Sequence, residues 1–370
     1  MKLVFTSYIS SPEYNDPPVW LKRIKAWTGI LESLSLQHTV TSIERISYEG
    51  LFEQNGVQYY FTRLNKKVVY FPWHIHRYIK QLRPDVVFVN GFVFPWQIIQ
   101  LRWKLGKQVK IVVINHAEKP SGGRRKFLQQ LADKYVDKYF FTSAEMGAEW
   151  VQQEIISNES KIEEVMEASS FFYIMDKEIA RKKTEVTGDP FFLWVGRLDA
   201  NKDPLTVIRA FGEFVKYQPT AKLYMIYHTD ELKEEITSLC EKETNLQKAV
   251  KLVGKVLHDE MQYWYSSADF IISGSHYEGS GVAVCEAMSC GCIPVLTNIQ
   301  SFRKMTGPGK CGLLYEPGND KELLAALLQT RSMDWEKERE KVLRQFNEEL
   351  SFTAIAEKIN QVIGSLGKEK

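Results

Sequence analysis

The chain has 370 residues, 44% hydrophobic and 25% charged, with a net charge of +2 at neutral pH. That length predicts two domains, the composition is that of a globular protein that folds in water, and the small net charge argues against a dedicated nucleic-acid binder. The charge is uneven, because residues 1–175 hold 22 Lys and Arg against 17 Asp and Glu while the rest hold 26 against 29; the first half therefore suits an acidic ligand or an anionic surface weakly.

The opening Met1-Lys2-Leu3-Val4-Phe5-Thr6 has an apolar run too short for a signal peptide and reads as a first buried strand. Further strand-like runs follow at 39–43, 57–62, 86–90, 110–115 and 139–142, with amphipathic helical stretches at 20–34, 72–82, 94–105 and 124–135. This alternation predicts βα units and a mainly parallel sheet. No apolar run reaches eighteen residues; the best, 86–96, is broken by Asn90, Gly91 and Pro95, so no membrane span is expected. A polar stretch around 177–189 suggests a linker at 171–190. A second alternation then runs through 191–195, 222–227, 250–253, 270–273, 293–297 and 312–314, and helices close the chain at 335–346 and 351–366. The expected domains are 1–170 and 191–350, with a C-terminal helix at about 351–370 packing back onto the first. The fold class is α/β, with two Rossmann-like doubly wound domains facing across a cleft, the place where open parallel sheets bind ligands.

All five cysteines lie in the second half, in an odd number and without paired metal-site spacing. A reduced cytoplasmic protein with buried thiols is the expectation. His74 and His76 have no accompanying carboxylate cluster, and no metal site is read there.

The most chemical stretch is His276-Tyr277-Glu278-Gly279-Ser280-Gly281-Val282-Ala283-Val284-Cys285-Glu286. An apolar run precedes it and a helical one follows, so it reads as strand, tight loop, helix. Such a loop offers backbone N–H groups and the positive end of a helix to an anion. Two carboxylates eight positions apart add acceptors for sugar hydroxyls. Gly196-Arg197-Leu198-Asp199-Ala200-Asn201-Lys202 follows another strand, where Arg197 and Lys202 can converge on a diphosphate, one as a fork and the other as a point charge.

These segments, with Asp203-Pro204-Leu205, Val253-Gly254-Lys255-Val256, Ala268-Asp269-Phe270 and Ala287-Met288-Ser289-Cys290-Gly291-Cys292-Ile293-Pro294-Val295, resemble the retaining nucleotide-sugar glycosyltransferases of family 4, which have the GT-B fold. The resemblance runs from 191 to about 328, while the first half matches in strand–helix rhythm alone. It implies transfer of a sugar from a nucleoside diphosphate sugar to an acceptor hydroxyl, in polysaccharide or glycoconjugate biosynthesis. It further implies that Arg197 and Lys202 hold the donor diphosphate and that Glu278 faces the donor sugar. Glu286 would take the ribose hydroxyls, Gly279, Ser280, Gly281 and Val282 would cradle sugar and phosphate, and Val256 and Leu257 would lie along the base; Gly196, at the turn after its strand, is counted with the donor-binding residues. His116, after the strand at 110–115, takes the place of a histidine close to the transferred sugar in many members. No Asp-x-Asp triplet occurs, so metal-independent catalysis without a cofactor is expected.

A sugar or lipid-linked acceptor is the expected partner. The basic sets Lys119, Arg124, Arg125, Lys126 and Arg102, Lys104, Lys107, Lys110 fit weak contact with the inner face of an anionic membrane, or plain solvated helix charge. Two other classes stay open at this stage: a non-catalytic nucleotide-sugar-binding subunit and a sugar-nucleotide epimerase of the same fold. The chain departs from the family pattern in three places. Ser7-Tyr8-Ile9-Ser10-Ser11 stands where a glycine pair is usual, Met166 to Phe171 replaces the segment before the linker, and Tyr227-His228-Thr229-Asp230 replaces a glycine-rich turn.

Overall fold

The computed structural model describes residues 1–63 and 68–367. The chain divides into two compact units, Met1–Ser169 with Phe352–Lys370, and Ser170–Ser351.

The first unit is built on eight strands: β1 Lys2–Ser7, β2 Thr39–Glu44, β3 Gly50–Gln54, β4 Val57–Phe61, β5 Val86–Asn90, β6 Lys110–Ile114, β7 Lys138–Phe141 and β8 Ile162–Glu164. Their order across the sheet is β3-β4-β2-β1-β5-β6-β7-β8. All neighbours run parallel except the β3–β4 hairpin. Val86, Val87, Phe88 and Val89 are wholly buried, as a strand covered by helices on both faces requires. The hairpin was not expected from the sequence, although Asn55-Gly56 announces it. Both residues have positive φ, 50° and 79°, which suits the tight turn between twisted strands. The single helix expected at 20–34 is two, Pro17–Arg23 and Lys25–Ser35. Asp16 caps the first by accepting from the Val19 N–H, and Pro17 follows at its start. The helix Phe352–Leu366 packs on Lys25–Ser35; residues 368–370 of the helix expected to 370 lie outside the described residues. Gly29 makes that approach close, since a Cβ there would lie within 2.7 Å of the Phe352 ring.

The second unit has six strands, all parallel: β9 Phe191–Gly196, β10 Lys222–Tyr227, β11 Val250–Gly254, β12 Phe270–Ser273, β13 Ile293–Thr297 and β14 Leu313–Tyr315. Their order is β11-β10-β9-β12-β13-β14. Chain direction across the sheet reverses between β9 and β12, and the loops leaving those strands flank the crevice where such sheets bind ligands. Phe192, Trp194, Phe211, Phe270 and Ile272 are among the side chains that fill the core beneath.

The linker expected at 171–190 is instead folded into this unit, with a helix at Lys177–Thr184 capped by Asp176. Its charges are not idle. Lys177 Nζ and Arg181 Nη2 both reach the Asp269 carboxylate, which is 1% exposed. Asp269 also accepts from the Phe191 N–H at 2.8 Å. A buried carboxylate needs such partners, and charge that reads as solvated in the sequence supplies them.

Candidate active site

The loops after β9 and β12 are stitched together by four contacts. Lys202 Nζ pairs with Glu278 Oε1. Asn201 donates its side-chain amide to the Tyr277 carbonyl at 3.0 Å, and the His276 N–H donates to the Asn201 carbonyl at 2.8 Å. His276 Nε2 lies 3.0 Å from Asp203 Oδ2. Glu278 Oε1 also accepts from Ser275 Oγ at 2.6 Å. The approach depends on Gly274, where a Cβ would come within 2.8 Å of the Asp203 carbonyl oxygen.

Asp203 itself has φ +40° and caps the helix Pro204–Phe214 by accepting from the Thr206 N–H. A non-glycine residue in that region is strained and is held there by its surroundings. Asp199 ties the two cations to one frame. Its Oδ2 pairs with Arg197 Nη2 at 3.1 Å, and its Oδ1 accepts from the Lys202 N–H at 2.9 Å. Arg197 is more than half exposed at its side chain, so its fork can leave Asp199 for a ligand.

Gly281 caps the helix Val282–Ser289 with φ +54° and no side-chain hydrogen bond. The first N–H groups of a helix lack partners within it, so this end can receive an anion. Ser280 is buried and Val282 exposed beside it.

Glu286 lies deeper, 5% exposed. Its Oε1 receives His258 Nε2 at 2.7 Å and its Oε2 receives the Tyr265 hydroxyl at 2.9 Å. Burial, then the neighbouring carboxylate, drives the Tyr265 pKa far up, so the phenol stays a donor. His258, absent from the sequence reading, packs against Phe171 and Phe172. Its place after Val256 and Leu257 was the available signal. Leu257 is exposed and Val256 half-buried against the core.

The structure thus brings Lys202 and Glu278 into contact and ties Arg197 to the same loop. His116 belongs to the first unit, after β6. Its Nδ1 meets Glu167 Oε2, its N–H donates to Glu118 Oε2 at 2.7 Å, and Trp27 packs edge-on to its ring. Burial works to lower its pKa, but the Glu167 hydrogen bond and charge, with the Glu118 charge, outweigh it and raise the value. Glu167 falls in the stretch that departs from the family pattern. Among the described residues no cluster of metal-ligating side chains occurs and no helix is long and apolar enough to cross a membrane. All five cysteines are free and buried, and burial pushes the Cys290 thiol up to about 12.

Comparison with known proteins bears on these loops directly. Residues 175–347 match the family model of glycosyl transferases group 1. Over 141 residues the chain is 33% identical to N-acetylgalactosamine-N,N'-diacetylbacillosaminyl-diphospho-undecaprenol 4-alpha-N-acetylgalactosaminyltransferase of Campylobacter jejuni, covering 38% of this chain and 36% of that protein. Over 122 residues it is 27% identical to GDP-mannose:cellobiosyl-diphosphopolyprenol alpha-mannosyltransferase of Xanthomonas oryzae, covering 33% and 32%. The matches thus span about a third of the length of these curated relatives.

Likeness of fold extends over the whole chain. A glycosyltransferase from Rickettsia africae superposes with a TM-score of 0.74 at 17% identity, covering 100% of this chain and 99% of that one. Anabaena Alr3699/HepE in complex with UDP gives 0.74 at 13% identity, covering 99% and 100%. The fold is therefore GT-B, with two Rossmann-like units. Its segment 175–347 resembles the glycosyl transferases group 1.

Proposed function

We propose that the chain is a glycosyltransferase that moves a sugar from a nucleoside diphosphate sugar to an acceptor hydroxyl, with retention of configuration and without a metal ion. The observation that carries this reading is the pair of loops after β9 and β12, joined through Lys202 and Glu278 beside a glycine-capped helix start. An arriving diphosphate draws Lys202 from Glu278 and Arg197 from Asp199, and the Val282–Ser289 helix end adds its N–H groups. Glu278, released, accepts from the donor sugar. Ribose hydroxyls share Glu286 with the half-exposed His258, and the base lies along Val256 and Leu257. As the anomeric centre gains positive character, charge grows on the leaving oxygens, and Arg197 and Lys202 stabilise it. His116 is assigned to the transferred sugar, as a hydrogen-bond donor, by the family resemblance alone.

Polysaccharide or glycoconjugate assembly at the cytoplasmic membrane face is the setting we favour. The two curated relatives named above carry diphospho-undecaprenol or diphosphopolyprenol in their names. Arg124, Arg125 and Lys126, at the exposed start of the helix Gly123–Asp133, would meet anionic lipid.

The experiment is a donor panel. A nucleoside diphosphate sugar at 100 times its Kd adds about 2.7 kcal/mol of stability, which identifies the donor by thermal shift. Transfer with that donor is then followed by NMR of the product anomer, with and without a chelator. An inverted anomer overturns retention, and activity lost to chelator and restored by magnesium or manganese overturns metal independence.

A further inference from the structure

A buried, unpaired cation lies in the first unit, outside everything used above. Arg45 follows β2 and is 2% exposed. Its Nε and Nη1 have no hydrogen-bond partner, and its Nη2 reaches Thr6 Oγ1 at the long distance of 3.5 Å. The guanidinium carbon sits 5.1 Å from the centre of the Tyr8 ring. Two carboxylates lie in its surroundings. Glu44 gives its oxygens to Ser42 Oγ and Trp20 Nε1, and Glu49 is exposed beside His74.

An unpaired buried charge is among the costliest features a fold can keep. A polar group left orphaned in this way often marks a place completed by something else. Burial leaves Arg45 a weaker cation than usual, with a pKa lowered to about 10 although Tyr8 and Glu44 act to raise it.

Three further features converge on the same spot. The Tyr8 hydroxyl meets His76 Nε2 at 2.8 Å, and His76 Nδ1 is buried without a partner. Burial and the nearby Arg45 charge push the His76 pKa down to about 3, so the ring is neutral and its Nδ1 can carry a proton outward. His74 and His76 stand in the opening turns of the helix Trp73–Leu82. That helix is capped by Pro72 with no side-chain hydrogen bond and has no acid in its first turn. Guanidinium N–H groups, an imidazole N–H and a bare helix start all seek negative charge.

We propose that Arg45, His76 and the start of the helix Trp73–Leu82 form a binding site for a phosphate group, at the carboxyl edge of β1 and β2. The ligand group is a tetrahedral oxyanion that takes two hydrogen bonds from the Arg45 fork. Tyr8 covers the fork and the exposed Ile9 follows it in the chain, so these two residues must shift for the anion to enter. Assigning this phosphate to the acceptor, as a phosphorylated or diphosphate-linked molecule, rests on the transfer reaction proposed above; binding of the anion does not.

The test uses the full chain carrying Arg197→Ala and Lys202→Ala, which removes the cations assigned to the donor diphosphate. Inorganic phosphate is titrated by calorimetry at constant ionic strength against a chloride control. This double variant should bind one phosphate, and adding Arg45→Met should weaken binding at least tenfold. The methionine side chain is neutral and similar in length, so the triple variant should melt no lower than its parent; Arg45→Lys, which keeps charge but not the fork, should bind several-fold more weakly than Arg45. Phosphate binding that ignores Arg45→Met, or no binding by the folded double variant, overturns the site.

A second arm compares farnesyl diphosphate with inorganic diphosphate. Tighter, Arg45-dependent binding of the prenyl compound supports a lipid-linked acceptor; equal binding overturns that assignment and leaves an anion site. If the otherwise unmodified chain fails to transfer sugar yet binds phosphate through Arg45, the transfer reaction falls and the site stands.

Discussion

Lys202 has two partners in prospect and one at present. Its ammonium pairs with Glu278, and on the proposed reading a diphosphate would compete for it. Lys202→Ala and Arg197→Ala should each lower turnover by about 10²–10³, the usual cost of losing one preorganised donor to a developing oxyanion. The double substitution should cost less than the product, because Asp199 couples the two residues and one diphosphate would serve both. Steady-state kinetics with the identified donor checks this, and near-normal turnover in both single variants would move the diphosphate elsewhere. Glu286 is a different case. Removing its carboxylate strands the buried Tyr265 hydroxyl. Glu286→Ala should therefore lower stability by about 1–3 kcal/mol as well as weaken nucleoside diphosphate binding. Glu286→Ala combined with Tyr265→Phe should recover much of the stability and none of the affinity. Denaturant melts read the first and calorimetry the second, and recovery of both would mean that Glu286 has a structural task alone.

At the level of elements, the join between two loops is what brings these residues together. Gly274→Ala places a methyl against the Asp203 carbonyl oxygen and should cost about 1–3 kcal/mol, as other overpacking changes do. Because that push separates the loops, turnover should fall further than donor affinity; a loss confined to stability would show that the join is dispensable. Most of this architecture was legible in the residues. Buried runs such as Phe191 to Val195 and Lys222 to Tyr227 declare strands by composition and length, and Gly279-Ser280-Gly281 declares the turn. Three things were not legible. β8, Ile-Glu-Glu, has too few apolar residues to signal a strand. The role of Lys177 and Arg181 depends on Asp269, 92 and 88 positions away, and no local pattern carries that. His258 and Tyr265 meet Glu286 only because the chain crosses back from the edge strand β11 and its helix Met261–Ser267 packs on the helix Val282–Ser289. Local propensity fixes elements, while pairing across the chain is a tertiary fact.

At the scale of the molecule, the second unit is continuous and has its own core. The segment 170–351 expressed alone should unfold cooperatively and bind nucleoside diphosphate with the affinity of the whole chain. A broad melt or a tenfold loss of affinity would show that it leans on the first unit. The first unit has no such independence, because the chain leaves it at Ser169 and returns at Phe352. During translation, 182 residues separate those two points, which at ribosomal speed takes roughly 10–40 seconds. Through that interval the helix Lys25–Ser35 stands without the Phe352 ring that covers Gly29. The half that begins to be made first is thus the half completed last, and a ribosome that stops anywhere in the second unit leaves the nascent first unit with an open apolar face for chaperones to hold.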